Sequence, residues 1–174
     1  MSAMRGRPFA AMLPFLLLAS PASAGEGSLV GLDMPPYPDR LRELQGTCLS
    51  DSDEYARVCD YGIAVLGTMD EPARDATPRH VVAQRSLGRD GDQPRWRVTD
   101  AVAYPQAGKD YWLQVGTCRI DGVDDGNVAA LVRHDAGDEH SGDVAWARRL
   151  DFASGRLQEI DPARVDCLNE GLGV

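Results

Sequence analysis

Tyr111 to Asp151 reads YWLQVGTCRIDGVDDGNVAALVRHDAGDEHSGDVAWARRLD, and this stretch decides the fold class. Its apolar residues gather in Tyr111–Ile120, Asn127–His134 and Asp143–Asp151, separated by the polar segments DGVDDG and DAGDEHSG. Gly tolerates left-handed backbone, and Asp and Ser side chains bond their own main chain, so such clusters end strands. The spacing predicts three β-strands joined by two turns. In the third strand Val144, Trp146 and Leu150 share one face opposite Asp143, Arg149 and Asp151, as in an antiparallel strand with one side buried.

The same periodicity extends upstream. His80–Leu87 and Pro94–Tyr104 predict a hairpin about GRDGDQ, with Trp96, Val98, Val102 and Tyr104 on one face and Arg95, Arg97 and Thr99 between them. Asp100 falls on the apolar side, where a bulge or an exposed strand end is the expected explanation and a buried functional carboxylate the alternative. Tyr61–Met69 alternates Ile63, Val65 and Met69 and predicts another strand. Glu71-Pro72 through Thr77-Pro78 is expected to connect rather than pair, because proline lacks an N–H. Downstream, Ser154-Gly155 predicts a turn, Leu157–Ile160 a short strand, and the tail DPARVDCLNEGLGV a turn of helix before Cys167. Together these give a mostly β, single-domain antiparallel meander of about seven strands, closed as a barrel or folded as a sandwich. Trp96 and Trp146 are expected to be buried, and Trp112 less so, since Leu113 and Val115 lie in the opposite phase.

Residues 1–24 combine Arg5 and Arg7, the apolar run PFAAMLPFLLLAS and Ala22-Ser23-Ala24, the pattern of a cleaved secretory signal peptide. The apolar run is short and Pro14 interrupts it, which argues against a membrane anchor, and no membrane span is expected after cleavage. Gly25 to Gly46 is expected to be an extended N-terminal arm, Gly- and Pro-rich, with one helical turn over Asp39–Leu44. Residues 47–174 then form the β-rich domain. Cleavage takes Arg5 and Arg7 away and leaves 16 basic against 27 acidic side chains, a formal balance of −11. Such a surface repels phosphate backbones and anionic lipid, so nucleic acid is not an expected partner, whereas a cationic protein is compatible. Lys109 is the only lysine, a bias toward Arg that suggests a GC-rich coding sequence and, with the leader, a bacterial periplasmic or secreted protein.

Four cysteines in an exported chain imply two disulfides. Three pairings are possible. Cys48 with Cys59, closing a short polar loop, and Cys118 with Cys167, tying the C-terminal return to the meander, are the expected ones. Zinc is the rival use of these thiols, but no CxxC pair occurs.

Candidate chemistry is sparse. Asp121, Asp124, Asp125 and Asn127 offer oxygens to a calcium ion, yet the spacing is not that of an EF-hand, Val132 stands where a closing Glu belongs, and turn formation accounts for these residues. His134 to His140 holds two imidazoles and three carboxylates, but a Gly-containing loop fixes metal ligands poorly. Neither a G-x-S-x-G elbow nor a glycine-rich phosphate loop is present, and His80, His134 and His140 all sit beside turns. Glu159, Asp161 and Asp166 are acids of the kind expected by chance in so acidic a chain. No catalytic residue, metal site or cofactor is therefore assigned. The expected function is a non-catalytic periplasmic binding module, of inhibitor or immunity type, meeting a cationic secreted or envelope protein. A small secreted hydrolase whose site assembles only in the fold, or a structural envelope protein, are the alternatives. Asp121, Asp124 and Asp125 in one turn and Asp138 and Glu139 in the next are the candidate partner-binding residues. One strand separates the turns, so they are expected at opposite ends of the sheet.

Overall fold

A computed structural model describes residues 29–54, 57–70, 75–133 and 137–170. The leader, His134, Asp135 and most of the Glu71–Pro78 connection's first half lie outside these residues. The described residues form thirteen strands in three antiparallel sheets. In chain order they are β1 (Asp33–Met34), β2 (Arg42–Leu49), β3 (Tyr61–Asp70), β4 (Asp75–Asp90), β5 (Gln93–Ala103), β6 (Trp112–Val115) and β7 (Cys118–Ile120). There follow β8 (Val123–Asp124), β9 (Val128–Val132), β10 (His140–Ser141), β11 (Val144–Asp151), β12 (Arg156–Glu159) and β13 (Val165–Leu168). A 3-10 turn, Pro162–Arg164, precedes β13, with the Asp161 carboxylate accepting from Ala163 N–H as its cap. The chain is thus mostly β, antiparallel and sandwich-like, without a closed barrel.

The first sheet, β1-β5-β4-β3-β2, packs on the second, β12-β11-β9-β6, and the second on the third, β10-β13-β7-β8. Alternation along β9 places the second sheet in the middle. Ala129 and Leu131 face a core shared with Ile63, Val65 and Val81 of the first sheet, whereas Val128, Ala130 and Val132 face Cys118, Val165 and Cys167 of the third. A strand apolar on both sides must be covered on both sides. Burying a residue the size of Leu131 contributes about 1.5–3 kcal/mol. The unbroken apolar run Val128–Val132 within Asn127–His134 carries this signal.

A third apolar cluster lies on the outer face of the first sheet, where Leu29 and Met34 of the arm cover Ala64, Leu66, Val82 and Val98. The arm is therefore part of the sheet, β1 pairing with β5. No helical turn forms over Asp39–Leu44: Asp39 and Arg40 have left-handed backbone, and Arg42 onward pairs with β3. Leu44 then packs on the first core as a strand residue, so pairing with a neighbour outweighs a weak local helical preference.

β3 to β5 form the consecutive meander the sequence suggested, with β2 added in a stretch not read as a strand, and β4 runs through Pro78. Leu66 pairs with His80 and Gly67 with Pro78, so Arg79 bulges out and the proline sits beside a bulge, where a strand tolerates it. The count exceeds seven because β1, β2, β8, β10 and β13 lie in stretches not read as strands and because Tyr111–Ile120 breaks at Gly116-Thr117, β6 joining the second sheet and β7 the third.

Bulges also overturn two expected faces. On β5, Ala83 pairs with Asp100 and Gln84 with Val98, so Thr99 is an extra residue. Trp96 and Val98 accordingly lie on the arm side, whereas Val102 and Tyr104 turn to the first core. On β11 the extra residue is Ala145, which sends Val144 to the second core while Trp146 and Leu150 stay on the first. Trp96 is buried, Trp146 is half-buried, and Trp112 is 62% exposed on an edge strand.

The Thr99 bulge fastens the sandwich. Thr99 Oγ1 donates to the Gly155 carbonyl at 2.7 Å, and Asp100 Oδ2 accepts Leu157 N–H at 2.9 Å. Gly155 has a φ of 68°, and a Cβ there would stand 3.0 Å from the Thr99 side chain, so only glycine permits the approach. Asp100 is a structural clamp at a bulge, the first of the two expected explanations. At the opposite edge Gln45 Nε2 donates to the Leu113 carbonyl at 3.3 Å, linking β2 to β6.

Both expected disulfides are formed, Cys48–Cys59 and Cys118–Cys167, and all four cysteines are consumed. No helix among the described residues is long and apolar enough to cross a membrane.

Candidate functional site

The third sheet presents its outer face as a cleft of about 370 Å³ lined by Thr117, Arg119, Asp124, Asp125, Glu139 and His140, among others. Period-two alternation builds it. Cys118 and Cys167 point inward to the second core, so their neighbours Arg119, Asp166 and Leu168 point outward. Asp166, Arg119 and Asp124 are direct cross-strand partners on β13, β7 and β8, which sets a guanidinium between two carboxylates.

Asp121-Gly122 makes the β7–β8 turn, with φ of 52° and 77°, the left-handed pair that Asp-Gly supplies in a tight hairpin. The turn carries Asp124 and Asp125 onto one wall of the cleft. Loop 137–140 forms the other wall and is held by Asn169, whose side chain donates to the Asp138 carbonyl at 3.0 Å and whose backbone N–H donates to the Glu139 carbonyl at 2.7 Å. The neck of that loop is closed by Arg133 and Asp143, which share a backbone hydrogen bond and an ion pair. Tyr111 also donates its hydroxyl to Asp143 at 2.6 Å. That hydrogen bond, followed by the Arg133 guanidinium, holds the Asp143 carboxyl below its ordinary range.

The two acidic turns therefore meet instead of emerging at opposite ends. The expectation of separation assumed one continuous sheet, but β7, β8 and β10 all belong to the third sheet, and both turns flank it. Asp124, Asp125 and Glu139 come together in the cleft. Asp138 reaches it only through the backbone bond to Asn169. Asp121 points elsewhere, to Arg164, and that hydrogen bond lowers its carboxyl.

The carboxylates differ in what occupies them. Asp125 takes Arg149 Nε at 2.6 Å and Asn127 N–H at 3.0 Å. Asp166 takes Arg119 Nε at 2.6 Å, and this bond is the main reason the guanidinium is held more firmly protonated, with Asp124 and Glu139 adding attraction. Asp124 and Glu139 thus share an arginine whose close partner is Asp166, and the cleft keeps a surplus of negative charge. Calcium ligation by Asp121, Asp124, Asp125 and Asn127 finds no support, because two of the carboxylates are directed to arginines. Among the described residues no group of three His, Cys, Asp or Glu could hold a metal ion.

Four contributors escaped sequence reading. Arg119 and Asp166 looked like ordinary surface charges, and only their register makes them partners. Asn169 gave no signal beyond its position after Cys167. Gln114 is 5% exposed and braces the cleft floor, donating to Thr117 Oγ1 at 2.7 Å and to the Leu168 carbonyl at 2.8 Å. A glutamine inside the apolar run WLQV was the available hint.

Compared with protein families, curated proteins and solved structures, the chain matches none of them.

Proposed function

We propose that the mature chain is an exported, non-catalytic binding module that engages a cationic secreted or envelope protein of the bacterial periplasm through the cleft of the third sheet. The observation that carries this reading is the convergence of Asp124, Asp125 and Glu139, from two separate turns, on one concave face. A basic side chain entering there meets Asp124 and Glu139, whose neighbouring guanidinium, Arg119, is already held by Asp166, beside Asp125, which Arg149 holds. The two disulfides and the formal balance of −11 left by 16 basic and 27 acidic side chains suit a rigid acidic domain in an oxidising compartment. Negative charge at a docking face acts chiefly on encounter: it steers a positive partner and raises its association rate.

The test is capture of secreted and envelope proteins on immobilised mature protein at low salt, followed by association kinetics with each purified partner. Association should slow by about tenfold or more as ionic strength rises and the Debye length contracts from about 10 Å toward 3 Å, with dissociation changing less. Asp124→Asn with Glu139→Gln should reproduce the high-salt rate, while Asp121→Asn, outside the cleft and paired with Arg164, should not. No cationic partner at low salt, or a partner indifferent to salt and to the cleft variants, would overturn the reading in favour of a hydrolase or a structural envelope protein.

A further inference from the structure

The two disulfides stand in opposite surroundings. Cys118 and Cys167 are 2% and 0% exposed and sit in the second core. Cys48 is exposed on edge strand β2, and Cys59 is half-buried in the loop that follows. Across the ladder Cys48 faces Gly62, which has no side chain to cover it.

The exposed bridge is also redundant for closing its loop. The residues that flank the loop, Leu49 and Tyr61, are themselves cross-strand partners and both lie in the first core. Tyr61 is fixed further by Phe152, ring centres 4.4 Å apart, and the Asp60 carbonyl accepts Ser86 N–H at 2.9 Å. Within the loop, Arg57 bonds both Asp51 and Asp60 at 2.6 Å. Breaking Cys48–Cys59 leaves every one of these contacts in place, so two thiols would remain near each other and could re-form the bond.

From this contrast we propose that Cys48–Cys59 is an exchangeable disulfide, a site where a dithiol reductant acts on the folded protein, with Cys48 as the sulfur attacked. A reductant thiolate bonds to Cys48 Sγ, the Cys48–Cys59 bond breaks, and Cys59 leaves as a thiolate that takes a proton. The reductant's second thiolate then attacks its own sulfur in the mixed disulfide and releases Cys48. The bridge is reduced by two electrons and the dithiol is oxidised to a disulfide. Access, not thiol chemistry alone, decides which bridge enters this cycle.

The intact oxidised protein is incubated under native conditions with graded dithiothreitol, quenched in acid, alkylated and peptide-mapped. Cys48 and Cys59 should be labelled about tenfold or more faster than Cys118 and Cys167, with the far-ultraviolet dichroism of the sheets retained, and replacing the reductant by oxidised glutathione, which takes up the two electrons, should restore the bridge. Simultaneous labelling of all four cysteines, earlier labelling of Cys118 and Cys167, or loss of sheet signal with the first bridge would each overturn the proposal. The attacked sulfur is identified separately with oxidised glutathione. Cys59→Ser should form its mixed disulfide at Cys48 about tenfold faster than Cys48→Ser forms one at Cys59, and equal or reversed rates would refute the assignment of Cys48.

Discussion

Asp100 offers a direct measure of how the first two sheets are held together. β12 is an edge strand, and the Leu157 N–H and C=O point away from β11, toward Asp100 and toward Arg148 Nη1 at 3.0 Å respectively. Leu157 is 3% exposed, so its N–H has little access to water once the carboxylate is gone. Asp100→Ala leaves that donor unsatisfied and also frees Ala101 N–H, which Asp100 Oδ1 accepts at 3.0 Å. A buried donor without a partner costs about 1–3 kcal/mol, and here a charged acceptor is lost as well, so about 2–3 kcal/mol is expected. In a domain of this size that corresponds to a fall in Tm of roughly 4–12 °C. Asp100→Asn keeps one acceptor for Leu157 and should cost about half as much. Urea unfolding of the oxidised protein, with both variants and the parent at equal m-value, reads the difference. An Asp100→Ala variant within about 0.5 kcal/mol of the parent would mean that the clamp is decorative and that this carboxylate is kept for another purpose.

Replacing Cys118 and Cys167 together by Ala should destabilise by about 4 kcal/mol on the loop-entropy model, against about 3 kcal/mol for Cys48 and Cys59, whose separation is 11 rather than 49 residues. Chemical denaturation compares the pairs, and an equal or inverse ranking would contradict the loop-entropy account of the two bridges. Leu131→Ala should cost about 2–5 kcal/mol because it opens a cavity in the first core, whereas Trp112→Ala should change stability by no more than about 0.5 kcal/mol. Acrylamide should quench Trp112 readily and Trp96 poorly in single-tryptophan variants. The Asp143 carboxyl is depressed by Tyr111 and Arg133, so its contribution is fully present above the unfolded value near 3.9 and is lost as pH falls through the lower folded value. The stability gap between the parent and Asp143→Asn, taken from urea midpoints, should therefore be wide at pH 7 and narrow as the pH falls below about 4. A gap constant with pH would refute the linkage.

The longer strands from β3 to β12, the cysteine pairing and the turn positions were legible because each rests on a local signal, alternation, Asx-Gly clusters or a short polar loop, whereas β2 was read as arm and helical turn and the short strands β1, β8, β10 and β13 were not read as strands. Faces were less legible. Trp96 and Val102 share parity, as do Val144 and Trp146, and a single extra residue, Thr99 or Ala145, puts each pair on opposite sides. A bulge leaves no composition mark when the inserted residue is an ordinary strand former. The cleft was half legible: Asp124, Asp125 and Glu139 stood out as acidic turn residues, but their meeting depends on Gly116-Thr117 diverting β7 into a different sheet. Arg119 and Asp166 become partners through long-range register, which no window of sequence contains.

The interleaving of the second and third sheets governs the order in which the molecule can assemble. β2 to β5 pair with their sequence neighbours, and such local hairpins need little loop closure. The third sheet differs, since β13 lies between β10 and β7 and brings Cys167 opposite Cys118. Until residues 165–168 are in place, β7 lacks its inner neighbour and Val128, Ala130 and Val132 lack their cover. As the chain folds the first sheet can thus form early, while the acidic cleft and the buried bridge appear together in the last step. That interval is when the chain is most exposed to wrong disulfides and to edge-to-edge association, and when an isomerase or holdase would have the most to act on.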